Sequence, residues 1–274
     1  MLHDTQAGEL WGGNVENNTH PAVQDAGWDH IIFRRAHQNA KHMISQGLDP
    51  LGVVVDRAHQ RGLRLYPCLL VQTPPDPGVR CSTWHLTHAQ EYSIAAKGRL
   101  PTGYPERAGL CFDWAREEVR AERFALVEEV VTNYDVDGFE LQLNYVPYYF
   151  HPAEIAAGRD IMTEWIRAVH DLLKKAMPSA ELIVRLPHSL EFCEAQGLDV
   201  RRWCKEELVD AIIAECPDGN RCDPCADFRP FVAVAAGARR SCRAFTHFLS
   251  LQSHVVPLRH NMLRGRTQVH RRVF

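Results

Sequence analysis

Apolar and polar positions along this chain repeat with two periods, and each switch from the longer to the shorter one marks a helix followed by a strand. From Asp49 the order Asp-Pro-Leu-Gly-Val-Val-Val-Asp-Arg-Ala-His-Gln-Arg-Gly predicts a helix capped at Asp49, opened by Pro50 and stopped at Gly62. The apolar run over 63–71 then predicts a strand with Gln72 at its tip. The pattern returns over 116–132, where Val119, Phe124, Val127, Val130 and Val131 recur at helical spacing beside a charged set and lead into a strand at 136–143. A helix over 161–177, stopped by Pro178, precedes a strand at Glu181–Pro187, and a short helix over 200–207 precedes another at 208–214. A fifth apolar run at 230–235 reads as a strand, with a helical stretch over 238–249 after it.

Helix-sized spacers between strands exclude a meander of hairpins and predict a mainly parallel sheet joined by right-handed crossovers. The expected organisation is one α/β domain over 1–252, with a Pro- and Gly-punctuated insertion at about 74–111 and a basic tail over 253–274. An insertion of that length is expected to be functional or mobile and to cover a ligand site.

The strand beginning at Gly138 is the most informative. Glu140, Gln142 and Asn144 recur with period two on one side, while Phe139, Leu141 and Leu143 fill the other. In a closed (β/α) barrel that alternation places the polar set inside the barrel or at its mouth.

Charge and composition narrow the partners. Lys and Arg number 31 against 34 Asp and Glu, a formal charge of −3, which argues against nucleic acid and against an anionic membrane surface. No apolar run reaches the roughly 18 residues of a membrane span. The first residues lack an export signal, so the chain as written is expected in the cytoplasm, or secreted if its N-terminus is truncated. Nine cysteines are scattered singly and are expected to be mostly reduced. Cys222 and Cys225 have zinc-knuckle spacing near Cys216, but no fourth ligand lies at an obvious spacing, Cys242 and His247 being distant; a cysteine-bearing loop is expected and no metal site is assigned, structural zinc being the alternative. Dinucleotide, Walker and serine-hydrolase motifs are absent from the sequence, and no cofactor is expected.

Asp49-Pro50, Ala58-His59-x-x-Gly62, Leu110-Cys111-Phe112-Asp113 ahead of Glu118-Val119-Arg120, and Tyr134-Asp135-Val136-Asp137-Gly138-Phe139-Glu140 occur in an order that resembles glycosyl-hydrolase-like (β/α)-barrel proteins of the family-10-like group. Val184-Arg185-Leu186-Pro187 and the stretch from Gly197 to Trp203 extend the resemblance over about 40–240. It implies a TIM-type (β/α) barrel, incomplete at one or both ends because only five strands are legible, and a homo-oligomer if another copy completes it. It also implies a carbohydrate substrate, with Glu140 at the family's acidic position.

A glycosidase sets a second carboxylate across the scissile bond, and Glu215, just after the strand at 208–214, is the first candidate. Glu191, Glu194 and Asp113 are further candidates, the last also placed to cap a helix. Gln72, Gln142, Asn144, Arg185 and His188 offer hydrogen bonds to a hydroxyl-rich ligand, while Trp84, Tyr145, Tyr148 and Tyr149 offer ring faces. Arg185 has an opposing reading, in which it pairs with Glu140 and holds it ionised. The alternative function is a noncatalytic carbohydrate-binding or scaffold protein with a degenerate barrel.

Overall fold

The computed structural model describes residues 39, 42–72, 83–215, 227–237, 243–248 and 254–257. Helix α1 (Pro50–Gln60) starts where Asp49 Oδ1 accepts the Leu51 and Gly52 amides at 2.9 and 3.3 Å. Strand β1 (Cys68–Leu70) follows, and then the short helices α2 (Thr83–His88) and α3 (Glu106–Gly109). Helix α4 (Glu117–Asn133) leads to β2 (Gly138–Gln142), and α5 (Ile155–Ala176) to β3 (Glu181–Pro187). Next come α6 (Leu190–Ala195), α7 (Val200–Lys205) and β4 (Ala211–Glu215). Last are α8 (Arg229–Ala236), β5 (Arg243–Phe248) and β6 (His254–Pro257).

The strands lie side by side in chain order, β1 to β5 parallel and β6 antiparallel on β5. This is an unclosed α/β sheet wrapped by helices, the arrangement of an incomplete (β/α) barrel. One side of the sheet supplies Phe139, Leu141, Leu143, Leu182, Val184, Leu186 and Ile212, each fully buried. Against it pack Val127 and Val130 of α4 and Met162, Ile166, Val169 and Leu173 of α5, the helical repeats that the sequence displays. Among the described residues, no helix is long and apolar enough to cross a membrane.

Two predicted elements are exchanged. The run at 230–235 is not a strand but lies in α8, because Pro230 fits a first helical turn and a short Ala- and Val-rich run has no period of its own. The stretch read as helical contains β5 instead, where pairing with β4 overrides local preference. The first residues after 253 also join the sheet, as β6.

Beneath the sheet, His59 Nε2 lies 3.0 Å from Asp137 Oδ2, which also accepts the Leu65 amide at 2.7 Å. The Asp137 hydrogen bond holds His59 above its ordinary proton affinity and fastens α1 to the entry of β2. Both residues act structurally here, at the strand entries rather than the tips.

Gly138 sets the spacing of β2 and β3. A Cβ there would stand 2.3 Å from the Glu181 carbonyl oxygen and 2.3 Å from the Tyr66 ring. Tyr66 cannot swing away freely, since its hydroxyl donates to Glu181 Oε2 at 2.5 Å. Gly138→Ala is therefore expected to cost about 1–3 kcal/mol as an overpacking change, read as a lower denaturation midpoint at unchanged slope. A midpoint equal to the parent's would show that the strands give way without cost.

Candidate functional site

Parallel pairing decides which side chains meet. Glu140 is in register with Cys68 on β1, Gln142 with Arg185 on β3, and Pro187 at the end of β3 with Glu215 at the end of β4. Since alternate residues share a face, Cys68, Glu140, Gln142, Arg185 and Glu215 stand on the side away from the helix-covered core. A guanidinium on the middle strand reaches both neighbours diagonally.

Arg185 Nε donates to Glu140 Oε1 at 2.6 Å, and its Nη1 donates to Glu215 Oε2 at 3.1 Å. Asn144 Nδ2, just past β2, donates to the same Glu215 oxygen at 3.0 Å. The Cys68 thiol faces Glu140 Oε1 at 3.5 Å and Gln142 Oε1 at 3.8 Å. The side chains of Arg185, Glu140 and Glu215 are only 16, 11 and 5 % exposed, so this is a nearly dry cluster.

Two proton affinities follow from these contacts. Burial lowers that of Arg185, but the hydrogen bond and charge of Glu140, and then Glu215, outweigh it and raise it above the ordinary value. Burial pushes the Cys68 thiol up, and the Glu140 charge adds to the effect against Arg185. The thiol thus stays protonated and serves as a donor. Both donors to Glu140 converge on Oε1; among the described residues its Oε2 has no hydrogen-bond partner.

The remaining candidates divide by position. Gln72 is buried and gives its amide to the Phe112 and Tyr148 carbonyls at 2.8 and 2.7 Å, so it straps two loops to the tip of β1 rather than offering donors to a ligand. Tyr149 is a core residue, its hydroxyl donating to the Leu143 carbonyl at 2.8 Å and its ring edge-on to Trp114. Trp84 is partly buried and packs among His88, Tyr92 and Phe112, at centroid distances of 5.0, 6.0 and 5.4 Å. Tyr148 stands between Tyr104 and Phe192, edge-on to each. The Arg107 guanidinium lies 5.6 Å from the Tyr145 ring centroid. His188 follows β3 directly, and its Nδ1 is buried with no hydrogen-bond partner among the described residues.

Asp113 does not cap α4, whose N-cap is Arg116; its buried carboxylate instead pairs with Lys97 Nζ at 2.8 Å, and Lys97 also reaches Glu154. Glu191 accepts the Ser189 hydroxyl, and Glu194 of α6 pairs with Arg201 of α7. Of the acids weighed as partners, the structure brings Glu215 to the cluster. Cys216, Cys222, Cys225 and Cys242 lie outside the described residues, as does the His247 side chain. Among the described residues no group of three or more His, Cys, Asp or Glu is placed to hold a metal ion. Sequence reasoning passed over Cys68, whose only signal was its place in an apolar strand next to that of Glu140.

No family model matches the chain, and no curated protein matches it. Solved structures similar in architecture include a beta-galactosidase from the psychrophilic Marinomonas ef1, at 13 % identity and TM-score 0.42 over 67 % of this chain and 38 % of that one. An alpha-L-fucosidase isoenzyme 2 from Paenibacillus thiaminolyticus matches at 14 % identity and TM-score 0.39 over 73 % and 36 % of the two chains. A cycloalternan-forming enzyme from Listeria monocytogenes matches at 18 % and TM-score 0.35 over 50 % and 14 %. The chain spans less than two fifths of the length of each.

Proposed function

We propose that this chain is a glycoside hydrolase acting on a carbohydrate, with Glu140 as proton donor and Glu215 as the ionised partner that serves as nucleophile or base. The observation that carries the reading is the shared guanidinium: one Arg185 gathers both acids and leaves Glu140 Oε2 without a partner among the described residues. The sequence resemblance supports the same acid independently.

The two acids differ in their donors: Glu215 Oε2 receives two N–H donors, whereas Glu140 Oε1 receives one N–H and a weaker thiol, and the proposal gives the donor role to Glu140 at its other oxygen. From the two N···O distances and the width of a guanidinium, the bonded carboxylate oxygens lie within roughly 8 Å, a bound that admits both retaining and inverting spacings.

Assay of nitrophenyl glycosides and oligosaccharides that differ in sugar and linkage tests the proposal. Turnover of at least one substrate is expected. A second reading, a noncatalytic carbohydrate-binding protein, draws on the tight, nearly buried Arg185–Glu140 contact at 2.6 Å, the pairing that opposes a general-acid role for Glu140. Calorimetric binding of an oligosaccharide with no release of reducing ends would select that reading; neither binding nor turnover across the panel would remove both.

A further inference from the structure

Asn144 stands at the carboxyl end of β2, and its contacts reach across the intervening strand. The β2 ladder continues one step past Gln142, where the Leu143 amide donates to the Arg185 carbonyl at 2.8 Å. The next side chain, Asn144, is 1 % exposed and spans above β3 to Glu215 Oε2 at 3.0 Å. Its other end, Oδ1, is buried with no hydrogen-bond partner among the described residues. Turning the amide over would aim Oδ1 at a carboxylate oxygen, so the orientation is fixed by its neighbour.

A buried acceptor left unmatched is unfavourable, and an apolar side chain of similar size would avoid it. The residue's contribution must then lie at its nitrogen. We infer that Asn144 is a positioning residue for Glu215, fixing the carboxylate from β2 so that its aim does not depend on Arg185 alone. The inference rests on Glu215 being the second acid of the proposed hydrolase. It also changes the part given to Asn144 by its sequence position, from touching ligand to acting through an acid.

The groups around this contact are Arg185 from β3, Glu140 from β2 on the far side of that guanidinium, Cys68 from β1 against Glu140, and His188 just beyond the Pro187 that pairs with Glu215. Asn144→Asp keeps the shape but sets a second carboxylate beside Glu215. Two acids at this distance share one proton, so the folded protein binds a proton more tightly than the unfolded chain. By linkage, that stabilisation is present below the unfolded carboxylate range and is lost as pH rises through the raised folded value.

Two measurements test this. On whichever nitrophenyl glycoside the wild type hydrolyses, Asn144→Ala should lower kcat by up to about 100-fold with KM nearly unchanged. Asn144→Asp should match Asn144→Ala at neutral pH and regain activity towards acidic pH, where the protonated Asp side chain donates as the amide did. Independently of turnover, the melting temperature of Asn144→Asp relative to wild type should fall as pH rises from about 4.5 to 7.5. A raised KM at unchanged kcat would make Asn144 a ligand contact and overturn the inference. A melting difference that ignores pH would also overturn it, by showing that the two side chains do not meet. Wild type inactive on every glycoside refutes the hydrolase instead, and the melting curves still decide whether the pair exists.

Discussion

Replacing Glu140 by glutamine lowers kcat on an alkyl glycoside by about 10²- to 10⁴-fold, yet costs less than about tenfold on a dinitrophenyl glycoside, whose leaving group departs without a proton. The contrast, rather than the size of either loss, identifies a general acid. Glutamine keeps an oxygen to accept from Arg185 Nε and Cys68 Sγ, so the cluster on Oε1 persists and only the proton carried at the other oxygen is removed. The same variant should lose the alkaline limb of its pH–kcat/KM profile, because that limb reports deprotonation of the acid in the free enzyme. Equal losses on both substrates would assign Glu140 to positioning instead of proton transfer. Undiminished turnover on the alkyl glycoside would take it out of the chemistry.

The sequence made this site legible to the extent that strand parity could. Glu140, Gln142 and Asn144 alternate with apolar residues, and the strand containing them is found at Gly138–Gln142. Arg185 was readable both as a ligand group and as the partner of Glu140, and it takes the second part here because it lies diagonally across a parallel pair. Register was not legible. Whether Glu215 ends β4 level with Pro187, and whether Cys68 stands opposite Glu140, depends on hydrogen-bonding offsets that leave no mark on either strand alone.

Loop residues were less readable still. Gln72 has the composition of a ligand contact and the position of one, but the Phe112 and Tyr148 carbonyls take both hydrogens of its amide. Buried loop carbonyls require donors, and a strand-tip amide is the nearest supply. Trp84 joins an aromatic cluster with His88 and Phe112, neighbours that its own strand-free segment does not announce. At the far end, the run at 230–235 shows the limit of short apolar segments: with Pro230 at its start it fits a helix as well as a strand, and only the packing of α8 against the core decides.

Arg185→Met is the severest expected loss of stability, about 3–5 kcal/mol at neutral pH. Methionine keeps an unbranched stem of similar reach but removes the cation that two nearly buried carboxylates share. Arg185 itself is charged throughout the working range, its affinity raised by the two glutamates, so the wild type owes no pH dependence near neutrality to that group. In the variant the acids face each other without compensation, and the folded state takes up a proton that the unfolded chain releases near its ordinary carboxylate value. The sign follows: the deficit relative to wild type is smallest below that value and grows as pH rises through the raised folded one. Adding Glu140→Gln to Arg185→Met should return much of the loss at neutral pH, since a single carboxylate then remains, still held by Asn144 Nδ2. A denaturation midpoint for Arg185→Met close to wild type at neutral pH, or a deficit equal at about pH 4.5 and pH 7.5, would mean that water already separates the three side chains. The site would then be open and solvated, and the shared guanidinium on which the proposed pairing of acids rests would lose its physical basis.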